Sequence, residues 1–539
     1  MTYWEGAIMF DTLIINGWLA DGTGNPTYPA DVAIQGDRIV EVARLAGAEA
    51  ARVIDAENKI VCPGFIDSHS HSDRTIQSNP TAQSTVRQGI TTEIVGNCGS
   101  SPAPLSDRSR EEMRRSLHGL GYQGPVAWAT FGEYLDFIDG MGTSINFAWL
   151  VGHNALRNAV GAVGTQVSEE QMRRMEAMVH EAMQAGAIGL STGLEFAPGR
   201  LASTEEVVRL AQVAGEYGGC YVSHIRNRDR EIQAAIEEFV EIVRRSDTIG
   251  QVSHLNVRHN TGAPEGAWQR AVDTLAAARD EGLDIGMDCT PFVDGGGNPT
   301  AILPPWVVEE GPERAADLLE DPQVRDRVKG ECDRYWAFIP RGDWDRLRVL
   351  RSEKFPELRH KNFFQIAEMW DQEPWDCLFD LFVLQFRGQD QVSYVGRLFT
   401  EEHVADQIRH PLFNLAVDAQ GSATEGVLAE KLVHPLSYAG MVHYLTYWVR
   451  EKHVLCLEEA IRKMTSMPAT HHRLRDRGLL RPGAYADVVI FDYQALDDVS
   501  TLKEPVAYAE GVEYVLVNGD LVIDDGDHTG ARPGRNLRA

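Results

Sequence analysis

The sequence predicts an α/β protein, a (β/α)8 barrel of the TIM type with a small all-β unit built from both chain termini. Three observations carry this reading. Between about residues 60 and 418, apolar strand-like runs alternate with amphipathic helices. Turn-punctuated β patterns occupy both ends. The polar residues best suited to bind metal fall just past apolar runs, positions that a parallel barrel collects at one mouth.

The terminal unit comes first. Thr12-Leu-Ile-Ile15, Asp31-Val-Ala-Ile34 and Arg38-Ile-Val-Glu-Val42 read as strands, with Asn16-Gly17 as a hairpin turn between the first two. Ile15-Asn16-Gly17 and Asp21-Gly22 are echoed by Val517-Asn518-Gly519 and Asp525-Gly526. Ala486–Phe491 and Tyr514–Val517 also read as strands. Residues 1–62 and 480–539 are therefore assigned to one composite unit, and 63–479 to the barrel.

Eight strand-like runs stand out in the middle: Ile60–Ile66, Thr92–Val95, Asn146–Val151, Ala187–Leu190, Gly219–Val222, Gly250–Val252, Leu283–Met287 and Asn414–Val417. Helices fall between them. Ser168–Ala185 carries Met172, Met175, Met178, Val179 and Met183 at helical spacing, a core-facing stripe. Strands seven and eight are separated by an insertion at about 300–405, read as helical and rich in aromatics such as Trp370, Trp375 and Phe379. An insertion after a barrel strand sits at the C-terminal face, where it can roof a pocket.

Composition removes several classes of function. The 539-residue chain is 43% hydrophobic and 24% charged, ordinary values for a globular protein. A net charge of −28 repels phosphate backbones and anionic lipid surfaces, which argues against nucleic acid and membrane partners. Seven scattered cysteines without a C-x-x-C pair suit free thiols in a reducing compartment. The opening Met1-Thr-Tyr-Trp-Glu-Gly lacks the basic-then-apolar pattern of a signal peptide, so the cytoplasm is the expected location. A homo-oligomer is left open.

The chemistry begins at Cys62-Pro-Gly-Phe-Ile-Asp-Ser-His69-Ser-His71. On an extended segment, side chains two residues apart share a face, so His69 and His71 can grip one ion from the same side. On a helix the same spacing would place them roughly 200° apart. The other candidates follow the same rule. Cys98, His224, His254 and Asp418 each end an apolar run, so strands one, two, five, six and eight would deliver six donors to one bowl.

These stretches resemble the amidohydrolase superfamily, and more closely its D-aminoacylase (N-acyl-D-amino-acid deacylase) branch. Further matching stretches are Gly96-Asn-Cys-Gly99, Val151-Gly-His-Asn-Ala-Leu-Arg157, Gly189-Leu-Ser-Thr-Gly-Leu194, Ser223-His-Ile-Arg226, Lys463-Met-Thr-Ser-Met-Pro-Ala469 and Thr529-Gly-Ala-Arg-Pro-Gly-Arg535. The resemblance implies that the terminal unit is a β-sandwich, that zinc is the cofactor, that Cys98 replaces a bridging carboxylated lysine, and that the aspartate after strand eight is catalytic. Zinc favours imidazole and thiolate in tetrahedral geometry. One tight site of Cys98, His224 and His254 is expected, with a second, weaker site at His69 and His71. Asp418 would be the general base and acid.

The expected activity is zinc-dependent hydrolysis of an amide C–N bond in an N-acyl-amino acid or related N-acyl compound. The alternatives are a cyclic-amide hydrolase, a hydrolytic deaminase or a non-catalytic scaffold. Substrate-reading positions depart from the branch pattern. Phe196 stands where an aromatic hydroxyl is usual, Asn256 where a lysine is common, and Phe292 in place of a tyrosine. In related enzymes that lysine and those tyrosines help hold the substrate α-carboxylate, so preference for such a substrate is expected to weaken. His153, Phe196, Arg226, Asn256 and Phe292 are the candidate substrate contacts, with Arg228, Arg258 and His259 also near the mouth.

Overall fold

The structure is a computed structural model describing residues 9–162, 164–297, 299–332 and 335–538. The opening residues read above for a leader lie outside them.

The N-terminal segment forms β1 (Phe10–Leu19), β2 (Tyr28–Gln35), β3 (Arg38–Ala43), β4 (Ala50–Asp55) and β5 (Ile60–Pro63). Parallel strands β6 (Phe65–Asp67), β7 (Ile90–Val95), β8 (Asn146–Gly152), β9 (Gly189–Gly193), β10 (Cys220–His224), β11 (Ile249–Val252) and β12 (Ile285–Cys289) follow, separated by helices. The insertion contributes β13 (Asp294–Gly297), β14 (Leu347–Arg351) and β15 (Ser393–Arg397). Then come β16 (Phe413–Leu415), β17 (Val488–Phe491), β18 (Val512–Val517), β19 (Asp520–Asp524) and β20 (Asp527–His528).

The eight parallel strands run in the order β16-β12-β11-β10-β9-β8-β7-β6. Small and branched side chains fill the interior: Ile66, Ile94, Ala148, Leu150, Val222 and Ile249 form one buried cluster. Alternate residues such as Phe65, Val95, Trp149, Tyr221 and Val252 face the helices. The two outer strands meet just beyond their ends. Ser70 bridges Ala419, Asp418 N donates to His69 O at 2.8 Å and His71 N donates to Ala419 O at 2.8 Å. The barrel thus closes where the predicted ligands lie.

Both termini share a nine-stranded sheet ordered β20-β19-β18-β17-β5-β1-β2-β3, with β4 beside β1. Its apolar faces enclose their own core of Ile14, Leu19, Val32, Ile34, Ile54, Val61, Val488, Ile490 and Leu516, as a small sandwich does.

Several expectations need correction. Ile60–Ile66 is two strands: β5 pairs with β17 in the terminal sheet, and the barrel starts at Phe65. Gly64 makes the break, because a Cβ there would fall 2.1 Å from Thr91 Oγ1. Asn16-Gly17 is no hairpin turn. β1 continues through it, and the register slips between Ile14 and Gly17 with Asn16 at φ 63°, a β-bulge. Asn518-Gly519 does turn the chain, between β18 and β19. The insertion is not purely helical, since β13, β15 and β14 form an antiparallel sheet beside its helices. Its aromatics pack on one another, Trp344 on Trp375 at 5.1 Å and Trp375 on Phe379 at 5.3 Å. The methionine-striped helix is Glu169–Ala185, capped by Ser168 in a capping box with Gln171, and Met172, Met175 and Met183 are buried. Among the described residues no helix is long and apolar enough to cross a membrane.

Candidate active site

Each donor is held by the backbone at or just past the end of a barrel strand. Beyond β6, Asp67 Oδ1 accepts from His69 N at 3.1 Å and Val417 N at 3.0 Å, tying the histidine segment to the strand-eight segment. His69 and His71 follow the strand rather than lie on it, with ring centroids 5.4 Å apart. His224 is the last residue of β10. Cys98, His254 and Asp418 have φ of 53°, 32° and 57°, a left-handed conformation uncommon for non-glycine residues and typical of functional sites.

The structure brings all six together. Cys98 Sγ lies 3.4 Å from His69 Nε2, 3.7 Å from His224 Nδ1 and 3.6 Å from His254 Nε2. Asp418 Oδ1 lies 3.2 Å from His71 Nε2 and 3.5 Å from His69 Nε2, and its Oδ2 is 3.9 Å from His254 Nε2. Three overlapping triads have donor atoms within 4.8 Å of one another: His69/His71/Cys98, Cys98/His224/His254 and His69/His254/Asp418. Zinc–sulfur and zinc–nitrogen bonds at a tetrahedral angle would separate S and N by about 3.6 Å. The observed spacings fit that ion.

Electrostatics agree. Burial alone would raise the Cys98 thiol, but His69, His224 and His254 hold it well below its ordinary range, toward thiolate. Burial likewise opposes ionisation of Asp418, yet His69, His254 and His71 bring it down to about 2.

A further layer of contacts went unread in the sequence. Glu195 Oε2 sits 2.7 Å from His224 Nε2, so the other ring nitrogen faces Cys98. Asp288 Oδ1 accepts from His254 N at 2.6 Å and lies 3.4 Å from His69 Nδ1. Arg228 Nη1 is 2.9 Å from His254 Nδ1. Only position gave a signal: Glu195 directly follows the Gly189–Leu194 stretch, and Asp288 directly follows the seventh run.

The candidate substrate contacts divide. Phe196 packs on His224 at 4.6 Å between ring centroids and on Tyr335 of the insertion at 5.6 Å, so the insertion does reach the mouth. Asn256 is buried, its Oδ1 3.4 Å from Arg228 Nη1. Phe292 stacks on His443 at 4.1 Å. Arg226 is spent on Glu238 and on the carbonyls of Arg200 and Ala202. His153 does not join the donor cluster. It is fully buried, with Nε2 2.8 Å from Glu206 Oε1 beside buried Arg157, because its helix presents it to the Thr204–Glu216 helix. Arg258 is likewise enclosed. A groove of about 290 Å³ opens beside Asp73, Arg74, Ser100 and Ser101, next to the ligand-bearing loops.

A parallel barrel that gathers imidazoles, a thiolate and a carboxylate at its C-terminal mouth defines a class, the barrel hydrolases. The chain belongs to the amidohydrolase family, whose model matches residues 52–329 and 420–523. Residues 330–419, between the matched segments, include much of the insertion and Asp418. An N-acyl-D-glutamate deacylase of Alcaligenes xylosoxydans xylosoxydans is 33% identical over 98% of this chain and 96% of its own length. A D-aminoacylase of the same organism is 29% identical over 98% and 97%. Among solved structures, the N-acyl-D-glutamate deacylase of Bordetella bronchiseptica, complexed with zinc and a phosphonate inhibitor, superposes with a TM-score of 0.79 at 30% identity, covering 99% of this chain and 100% of that one.

Proposed function

We propose that this protein hydrolyses the amide bond of an N-acyl-amino acid, with zinc held by Cys98, His224 and His254, and a second, weaker zinc position at His69, His71 and Cys98. The observation that carries the reading is the meeting of six donors from five strands, the carboxylate of Asp418 among them, in three overlapping triads whose donor atoms lie within 4.8 Å of one another. Zinc bound there would polarise a carbonyl and lower the pKa of a water molecule to about 7.

The remaining work falls to the chain. Asp418, ionised at neutral pH and 29% exposed at its side chain, takes a proton from the attacking water and returns it to the departing nitrogen. Its backbone, bonded to His69 O, keeps the carboxylate over the histidine pair. Glu195 and Asp288 hold His224 and His69 in orientation, as outer carboxylates commonly do for ligating imidazoles. Phe196 and Tyr335 wall the mouth and exclude solvent.

The test is a panel of N-acetyl-D- and L-amino acids, acyl anilides and cyclic imides, assayed with and without chelator and alongside metal analysis. Chelator-sensitive release of amino acid with near-stoichiometric zinc is expected. A purified protein that retains no zinc after loading, or that opens only cyclic imides, would remove the reading.

A further inference from the structure

Four ionisable side chains crowd the loops after β9, β10 and β11: Glu195, Arg228, Asp229 and Arg258, all buried. Two are acids and two are bases, but the pairing is uneven. Arg258 Nη1 lies 2.8 Å from Glu195 Oε1 and 2.8 Å from Asp229 Oδ2, and its Nη2 lies 2.5 Å from Glu195 Oε2. His224 and Thr261 take further bonds to the same carboxylates, at 2.7 and 2.6 Å. Both acids are therefore claimed.

Arg228 is left with a longer ionic contact to Glu195 and with neutral hydrogen-bond partners. Its Nη1 reaches His254 Nδ1 at 2.9 Å, His254 O at 3.2 Å and Asn256 Oδ1 at 3.4 Å. Its Nη2 stands 3.6 Å from Glu195 Oε2, beyond hydrogen-bond length, and its Nε is buried without a partner among the described residues. The Nε–Nη2 edge is one of the edges with which a guanidinium grips a carboxylate bidentately. Here the Nε of that edge is desolvated and unmatched among the described residues, which is costly until an acceptor arrives.

The location suits a ligand. The imidazole that touches Arg228 presents its other nitrogen to Cys98, so the guanidinium lies one ring away from the donor cluster. Asn256, which brings no cation of its own, supports Arg228 instead.

We propose that Arg228 binds the free α-carboxylate of the N-acyl-amino acid and so sets the requirement for it, the cationic role having moved from position 256 to position 228. This rests on the proposed function above.

The experiment compares N-acetyl-D-leucine and N-acetyl-D-glutamate with their α-carboxamides, using zinc-loaded wild type, Arg228→Gln and Arg228→Lys. Wild type should favour the free acids by roughly 30-fold or more in kcat/KM, the scale of losing one partner of a buried charge pair. Arg228→Gln should bring the acid-to-carboxamide ratio of kcat/KM toward one, with the loss carried by KM for the acids and zinc still bound. Arg228→Lys should restore part of the preference. Equal losses on acid and carboxamide, or loss of zinc, would make Arg228 a prop for His254 and overturn the proposal.

Equilibrium binding separates this claim from the hydrolysis claim. A wild type that cleaves neither probe removes the hydrolase reading alone. Calorimetry on zinc-loaded Asp418→Asn protein still decides the carboxylate site: preferential binding of the acids, lost when Arg228→Gln is added, supports it, and equal binding of acid and carboxamide refutes it.

Discussion

His224 is held between two partners, Glu195 Oε2 at 2.7 Å on Nε2 and Cys98 Sγ at 3.7 Å on Nδ1. A carboxylate on one ring nitrogen places the proton there and leaves the other lone pair for a metal. Glu195→Gln should therefore weaken zinc affinity by about 10- to 100-fold, read by chelator competition. Glu195→Ala should in addition destabilise the fold by about 3–5 kcal/mol, because it strips a buried carboxylate from Arg258.

Cys98 touches three of the four ligand histidines, so both proposed zinc positions depend on it. Cys98→Ala should lose zinc on dialysis while circular dichroism stays unchanged. Zinc retained at wild-type stoichiometry would place the ion elsewhere.

Asp418→Asn keeps the shape and removes the base. Zinc content should persist and kcat should fall by about 10²- to 10⁴-fold. Turnover close to wild type would take Asp418 out of the proton transfers.

Glu206 offers a control for motif residues that look functional. It accepts from Arg157 Nη1 with both oxygens at 2.7 Å and pairs with His153, and all three side chains are buried. Glu206→Ala should cost about 3–5 kcal/mol of stability, seen as an earlier denaturation midpoint, with kcat/KM per folded molecule unchanged.

His403 hooks the end of the insertion to the active-site loop by accepting from Val257 N at 2.9 Å. Burial holds its pKa down at about 4, so folding favours the neutral ring. The unfolded chain, with a pKa near 6.5, binds the proton first as pH falls. The contribution of His403 is thus complete above about pH 6.5 and drains away between there and pH 4, by roughly 3 kcal/mol at most. His403→Gln should flatten that part of the stability profile, measured by denaturant titration across the window.

The barrel and its donors were legible because their signals are local. An apolar run followed at once by His, Cys or Asp marks a strand end, and a parallel barrel turns that rule into a shared mouth. The paired Asn-Gly dipeptides show the limit. Asn518-Gly519 turns the chain, while Asn16-Gly17 bulges within a strand that pairs with β2, β4 and β5. Both conformations need the same left-handed backbone, so only the strand partners choose between them. His153 misled for a similar reason: its matching stretch is real, but its ring is committed to Glu206.

By itself the sequence determined the alternation of strands and helices, the shared terminal unit and the identities of six donors, since each follows from residues adjacent along the chain. Tertiary structure decided which charges are matched. Glu195, Arg228, Asp229 and Arg258 come from three separate loops, and the sequence placed Arg228 and Arg258 near the mouth without showing which acid each would meet. Desolvation and distance, both properties of the folded state, hydrogen-bond both carboxylates to Arg258 and leave the buried Nε of Arg228, beside His254, without a partner among the described residues.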